Sequence, residues 1–272
     1  MSVDSLTSRA ALVTGAGGGV GQVLAGRLVA SGWTVIVHAS TADAAQNAVK
    51  RLVKAGAEPL RLETVSGDFA QLGEVARMAG EVAQRYPSLD LLVNAAHTGP
   101  AERRALTEDG HERTFQLNYL APFMLTRLLA RPLNRAHGRV VSVSSTLHRG
   151  ASLSWADPTR TKGYTPLVAY GQAMLAVTMF TRALEELEAN DFTAISVDPG
   201  SDDPEVVRMH RWATTPADHA ADIITQLSSP TLVVRNGAFY DGLLPGATAA
   251  IVEDARALAR LWHLSERLVE LG

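Results

Sequence analysis

The stretch TGAGGGVG at residues 14–21 constrains this chain more than any other. It follows the apolar run RAALVT, Arg9 to Thr14, and opens onto the helix-patterned QVLAGRLVAS, with Gly15, Gly19 and Gly21 in the spacing G-x-x-x-G-x-G. Glycines at the junction of a strand and a helix let the backbone approach a pyrophosphate, whose charge is met by free amides and the positive helix end. A tight turn without ligand is the plainer alternative. Placement directly after the first strand favours the dinucleotide.

Five further apolar runs recur with helix-length segments between them: Trp33 to His38, Leu60 to Val65, Leu89 to Ala95, Arg139 to Val143 and Thr193 to Val197. Each is short and largely lacks the polar alternation of a half-exposed strand. The pattern predicts an α/β fold, a doubly wound, Rossmann-type parallel sheet flanked by helices on both faces. Gly32 is expected to stop the first helix, and Thr215-Pro216 to start a late one with a cap residue and a first-turn proline. At 272 residues and 46% hydrophobic, the chain reads as one dinucleotide-binding domain over 1–272. Its irregular stretches near 147–167 and 199–214 are expected to be insertions on the substrate side, the second carrying Met209, His210 and Trp212.

Lys plus Arg number 25 against 28 Asp plus Glu, a balance of −3 without long charge blocks, so neither nucleic acid nor an anionic membrane is expected as partner. Without cysteine there is no disulfide, thiolate nucleophile or Cys-ligated zinc, and no metal is expected. The opening MSVDSLTS lacks a basic start and an apolar core, and no run of about 18 apolar residues occurs, so an unprocessed, cytoplasmic protein is expected. The expected partner is a small-molecule substrate.

The second apolar run ends in His38, Ala39, Ser40 and Thr41, with neither the acid that binds a ribose diol nor the arginine that favours a 2′-phosphate. Both NADP and NAD stay open. The Ser40 and Thr41 hydroxyls tip the balance slightly toward NADP. Asp68, in VSGDFAQL, is placed either to accept from an adenine amino group or to cap a helix over AQLGEVARMA.

Taken together, TGAGGGVG, GDF at 67–69, LLVNAAH at 91–97, FQLNYLAPFMLT around Asn118, VVSVSS ending at Ser145, YGQAM from Tyr170 and DPG at 198–200 resemble the short-chain dehydrogenase/reductase family. The later stretches TPADHAADII, GAFYDG and ALARLWHLSERLVEL resemble its retinol-dehydrogenase-like branch. The resemblance implies Tyr170 as acid/base toward the substrate oxygen, Ser145 as the residue that positions that oxygen, and Asn118 as support for a proton-relaying water. It also implies Asn94 beside the cofactor, and it leaves a homodimer or homotetramer open.

Three departures from the family pattern fall on the nicotinamide half of the site. Met174 stands where a lysine four residues after the tyrosine would hold the ribose and lower the phenol pKa. The stretch NAAH places Ala95 and His97 where an asparagine and a glycine are usual, and SDD follows Pro199-Gly200 where a threonine is expected. An ammonium about 4 Å from a phenolate contributes on the order of 4 kcal/mol at an effective dielectric near 20, so its loss returns the phenol toward about 10. Reduction uses the protonated phenol and is expected to survive better than oxidation. His97 and His148 are candidates in the altered site, and Lys162 is a candidate replacement cation. The leading reading is an NAD(P)-dependent reductase acting on a carbonyl or alcohol of a small, moderately apolar molecule. A non-redox cyclase, dehydratase or isomerase, or a non-catalytic binding protein, is the alternative.

Overall fold

The first apolar run forms β1 (Ala10–Val13), buried along all four residues as a run without polar alternation must be. The computed structural model describes residues 9–188, 190–201, 203–210 and 214–271, so the opening MSVDSLTS and Trp212 lie outside the described residues. β2 (Thr34–Ala39) and β3 (Leu62–Ser66) extend the sheet on one side of β1, and β4 (Leu91–Asn94), β5 (Arg139–Val143), β6 (Thr193–Asp198) and β7 (Phe239–Asp241) on the other, all parallel. β8 (Leu244–Pro245) turns back antiparallel on β7 and completes an eight-stranded sheet of order β3-β2-β1-β4-β5-β6-β7-β8. The order reverses between β1 and β4, where open α/β sheets hold ligands outside the strand carboxyl ends.

The helices are α1 (Gly19–Ala30), α2 (Ala42–Lys54), α3 (Leu72–Arg85), α4 (Arg113–Phe115), α5 (Ala121–Leu128), α6 (Ala130–Ala136), α7 (Pro166–Glu186), α8 (Pro204–His210), α9 (Ala217–Ser228) and α10 (Ala255–Leu268). A π-helical turn, Gln116–Leu120, joins α4 to α5. Two apolar layers result. Leu24, Leu28, Ala48, Ile224 and Leu227 cover one face of the sheet, while Val75, Phe123, Ala176 and Leu258 cover the other.

The second layer is organised by aromatic rings. Phe123 lies 4.9 Å from Phe180, 5.5 Å from Trp262 and 6.0 Å from Tyr119, each centroid to centroid, so it joins α5, α7, α10 and the π-helical turn. By length and composition α7 is apolar enough to cross a membrane, although no unbroken apolar run of that length occurs. Since 83% of its most apolar window is buried inside the fold, its apolarity is that of a core helix.

Several boundaries differ from the sequence expectation, each for a local reason. Pro59–Arg61 forms a 3-10 turn, so β3 starts two residues later than the run from Leu60. Gly32 (φ +87°) does close α1, with its amide on Val29 O and the Trp33 amide on Leu28 O. Pro216, however, is itself the cap residue of α9, and no side chain caps that helix. The Thr215 side chain is packed instead where a Cβ on Gly200 would fall. β7 and β8 escape notice because strands of three and two residues carry no readable period.

The insertion at 147–167 is tied down by two polar side chains. Asp157 accepts from the Thr161 and Lys162 amides, and Gln172 on α7 accepts from the Ser154 amide and Arg160 Nε while donating to Pro158 O.

Phe123→Ala is expected to lower the unfolding free energy by about 3–5 kcal/mol, because the surrounding rings close only partly over the lost volume. Urea denaturation of the two proteins measures the difference.

Candidate active site

The exit of β1 is shaped for backbone contact. Gly15 (φ +70°) leaves no room for a side chain, since a Cβ would lie 2.7 Å from Ala96 Cα, and one on Gly21 would lie 2.6 Å from Gly15 O. Thr14 donates its hydroxyl to Val93 O and accepts the Ala95 and Ala96 amides at 3.0 Å, which fixes the glycine turn and the loop after β4 as one piece. Gly18 precedes α1 in extended conformation, with no side-chain cap and no acidic residue in the first turn. The first amides of α1 are therefore available to an anion, as a pyrophosphate requires. They open on a cleft of about 680 Å³ lined by the glycine turn, His38, Ser40, Asp68, Ala95 and His97.

His38, at the end of β2, carries the turn from below. Its Nδ1 accepts the Gly15 amide at 3.1 Å, its Nε2 donates to Gly67 O at 2.9 Å, and its ring stacks on Phe69 at 4.8 Å. Accepting at Nδ1 requires the neutral ring. Burial lowers its pKa to about 4, against the weaker opposing pull of the Gly67 carbonyl and Asp68.

The other adenosine-side residues divide their duties. Thr41 caps α2 by accepting the Ala44 amide, which leaves Ser40 as the hydroxyl at the cleft rim. Asp68 lines the cleft, and one of its oxygens accepts the Ala70 amide at 2.9 Å. The cap residue of α3 is Gln71, so the reading of Asp68 as that helix's cap is corrected: it closes the preceding turn. Asn94 lies beneath the cleft, its amide donating to Thr126 and Ser142 rather than forming the wall.

A narrow cavity of about 40 Å³ shares Val20, Ala95 and His97 with the cleft and is walled on its inner side by Tyr170, Ser144 and Asp198. Tyr170 stands near the start of α7, which is set by Pro166 in the first turn and by Thr165 capping the Val168 amide. The tyrosine is 4% exposed, and its hydroxyl makes no hydrogen bond among the described residues. Burial first, then Asp198 and Asp203, push the phenol well above its ordinary pKa.

One turn further along α7, Met174 is 2% exposed and belongs to the apolar core. No lysine or arginine is among the described residues lining the cavity. Lys162 is exposed, and its backbone is held in the Asp157 loop.

The remaining candidates take structural contacts. Ser145 is buried and accepts the Leu147 amide, while its neighbour Ser144 lines the cavity and bonds Met174 O and Thr178. His148 is enclosed, with Nδ1 on Ser145 O at 2.7 Å and its ring edge-on to Phe239, and burial lowers its pKa. Asn118, in the π-helical turn, pairs with both backbone groups of Thr98, accepting from N at 2.7 Å and donating to O at 2.9 Å. Both of its polar atoms are thereby used to clamp the loop after β4.

Sequence reasoning missed Asp198 as part of the site. It is 5% exposed, accepts the Thr146 amide at 2.7 Å and the Gly200 amide at 2.9 Å, and so joins the loops after β5 and β6. Asp203 caps α8 by accepting the Glu205 and Val206 amides. The signal was present in DPG and SDD, as acids at the ligand edge of a parallel sheet. The roles of Thr14 and His38 had no comparable signal, because both depend on contacts across the sheet.

Because His38 is held neutral, the unfolded chain takes up its proton first, and stability falls as pH drops from about 6.5 to about 4. The loss attributable to this group is about 3 kcal/mol. Urea unfolding of wild type and His38→Asn across that window is expected to show the steeper decline in wild type.

Residues 9–211 match the short chain dehydrogenase family. Retinol dehydrogenase 13 of Mus musculus is 29% identical over 291 residues, spanning 100% of this chain and 86% of that protein. Among solved structures, a protein of Mycobacterium paratuberculosis is similar with a TM-score of 0.79 and 28% identity, covering 96% of this chain and 93% of that one. A landomycin C-6 ketoreductase with bound NADP and rabelomycin is 29% identical with a TM-score of 0.64, covering 87% and 95%. The chain belongs to the short-chain dehydrogenase family, on its retinol-dehydrogenase-like branch.

Proposed function

We propose that the protein is an NADP(H)-dependent reductase of the polar double bond of a small, moderately apolar molecule. The observation that carries this reading is the wall of Val20, Ala95 and His97 shared by the glycine cleft and the Tyr170 cavity, which sets the dinucleotide cradle beside a buried phenol. The cradle fits a pyrophosphate because two of its positions exclude even a methyl group and its helix amides lack a cap. Amides of the glycine turn beyond Gly15 and of the first turn of α1 would hold the pyrophosphate, with Ser40 and Asp68 at the adenosine end. When bound, the dinucleotide supplies a hydride.

Tyr170 sits on the cavity wall as a protonated phenol, the form that donates to a substrate oxygen. Oxidation of an alcohol needs the phenolate, which the buried site and the neighbouring acids oppose. Reduction is therefore the favoured direction. The Ser40 hydroxyl at the rim, Arg113 in the cleft lining and the bound NADP of the ketoreductase relative support NADP over NAD. The retinol dehydrogenase relative supports an apolar substrate body. A non-redox enzyme on the same fold is favoured by one observation, the apolar Met174 in the core where a cation would serve the nicotinamide ribose.

Two measurements test the reading. 2′-Phospho-ADP-ribose is expected to bind within about tenfold of NADPH, since the recognisable contacts lie in the adenosine and pyrophosphate half; a larger gap, above about 1.4 kcal/mol, counts against it. Alcohol oxidation is expected to rise about tenfold per pH unit through pH 10 without a plateau near neutrality. A plateau at neutral pH would mean that an ionised base is already in place, and the directional argument fails.

A further inference from the structure

We propose that the Tyr170 cavity receives a cationic carbon–nitrogen double bond, an iminium, in preference to a neutral carbonyl. The inference deepens the reductase reading and rests on it. Two observations converge on the same cavity wall. Asp198 presents a buried carboxylate on the cavity wall, held by two backbone amides and by no ion pair among the described residues. Tyr170 supplies the independent sign of a ligand: a buried side chain lining the cavity whose hydroxyl has no partner among the described residues.

The charge at this site is opposite to what carbonyl reduction asks for. Hydride addition to a ketone places negative charge on oxygen, and catalysis depends on groups already aimed to stabilise that charge. Here the Asp198 carboxylate opposes it, Met174 is apolar, and no lysine or arginine among the described residues lines the cavity. An iminium reverses each of these terms. Its carbon is activated by the positive nitrogen, the hydride bonds to that carbon, and the π pair withdraws to nitrogen as a lone pair. The product is a neutral amine, so no proton has to be delivered. The reductant is the reduced nicotinamide dinucleotide, and the positive charge passes from substrate to nicotinamide ring. The Asp198 carboxylate thus faces one cation before the step and one after it. Tyr170 remains a neutral hydrogen-bonding group throughout, and a site without the usual lysine loses no proton-transfer step for this substrate.

The test compares two probes of similar shape with the full chain and NADPH at neutral pH: 1,2-dimethyl-1-pyrrolinium, a permanent cyclic iminium, and cyclopentanone. The expected result is a kcat/KM at least about tenfold higher for the iminium. A binding readout without turnover uses the non-reducible cation N,N-dimethylpyrrolidinium in ligand-observed NMR. It is expected to bind wild type saturably and to lose about tenfold or more in affinity in Asp198→Asn. Should Asp198→Asn fail to fold, the wild-type preference between the two probes still decides the question. Reduction of cyclopentanone with equal or greater efficiency overturns this inference and leaves the reductase reading standing. Reduction of neither probe by the NADPH-bound protein overturns the reductase reading and this inference with it.

Discussion

The contact of the Gly15 turn with the loop after β4 is the constraint on which the rest of the site depends. A turn that can accept no Cβ lies against Ala96, and Thr14 stitches it there through its hydroxyl, which accepts two amides of that loop and donates to Val93 O within β4. Because β1 and β4 are adjacent but lead their chains in opposite directions across the sheet, this is where a crevice opens. Everything that faces a ligand is arranged around it. His38 supports the turn from the β2 side, and Asn118 holds the β4 loop from the opposite side through Thr98. The two clamps keep the crevice in one shape, and each does so with a side chain whose hydrogen-bonding atoms are fully used.

Beyond that crevice the electrostatics change character. The cleft offers uncapped helix amides to an anion, whereas the cavity next to it is bordered by the Asp198 carboxylate and an un-ionised phenol. A single elongated ligand with phosphate at one end and positive charge at the other would find both ends matched. The acids are not idle surface groups either, since Asp198 joins two loops and Asp203 starts a helix. The same charges that shape the loops therefore set the potential felt by whatever enters.

Much of this could be read from the residues, and the limits follow from what local sequence encodes. Six strands were visible because parallel strands covered by helices are short runs rich in apolar residues, although β3 at the sheet margin buries only Val65, and the glycine turn was visible because few other uses explain such a cluster. Tyr170 and Met174 could be placed on one helix face from their spacing alone, and the structure puts both in α7. What local pattern does not carry is pairing at a distance. The pair of hydrogen bonds between Asn118 and Thr98, the bridge from Asp198 to Thr146 and the role of His38 each join segments far apart in the chain. The late strands were missed for a different reason, since two or three residues are too few to display a period.

The brief β8 strand has a consequence for how copies of this molecule meet. It closes one margin of the sheet with two residues, one of them a proline that has no amide to donate. At the other margin, arginines from α3 reach over β3, Arg85 to Thr64 O and Arg77 to Ser66 O, while Arg85 also pairs with Glu63. Short strands, proline and charge are the devices by which natural sheets discourage a foreign strand from docking. The molecule is thereby guarded at both margins against edge-to-edge aggregation, and an orderly assembly of copies would have to be built from its helices.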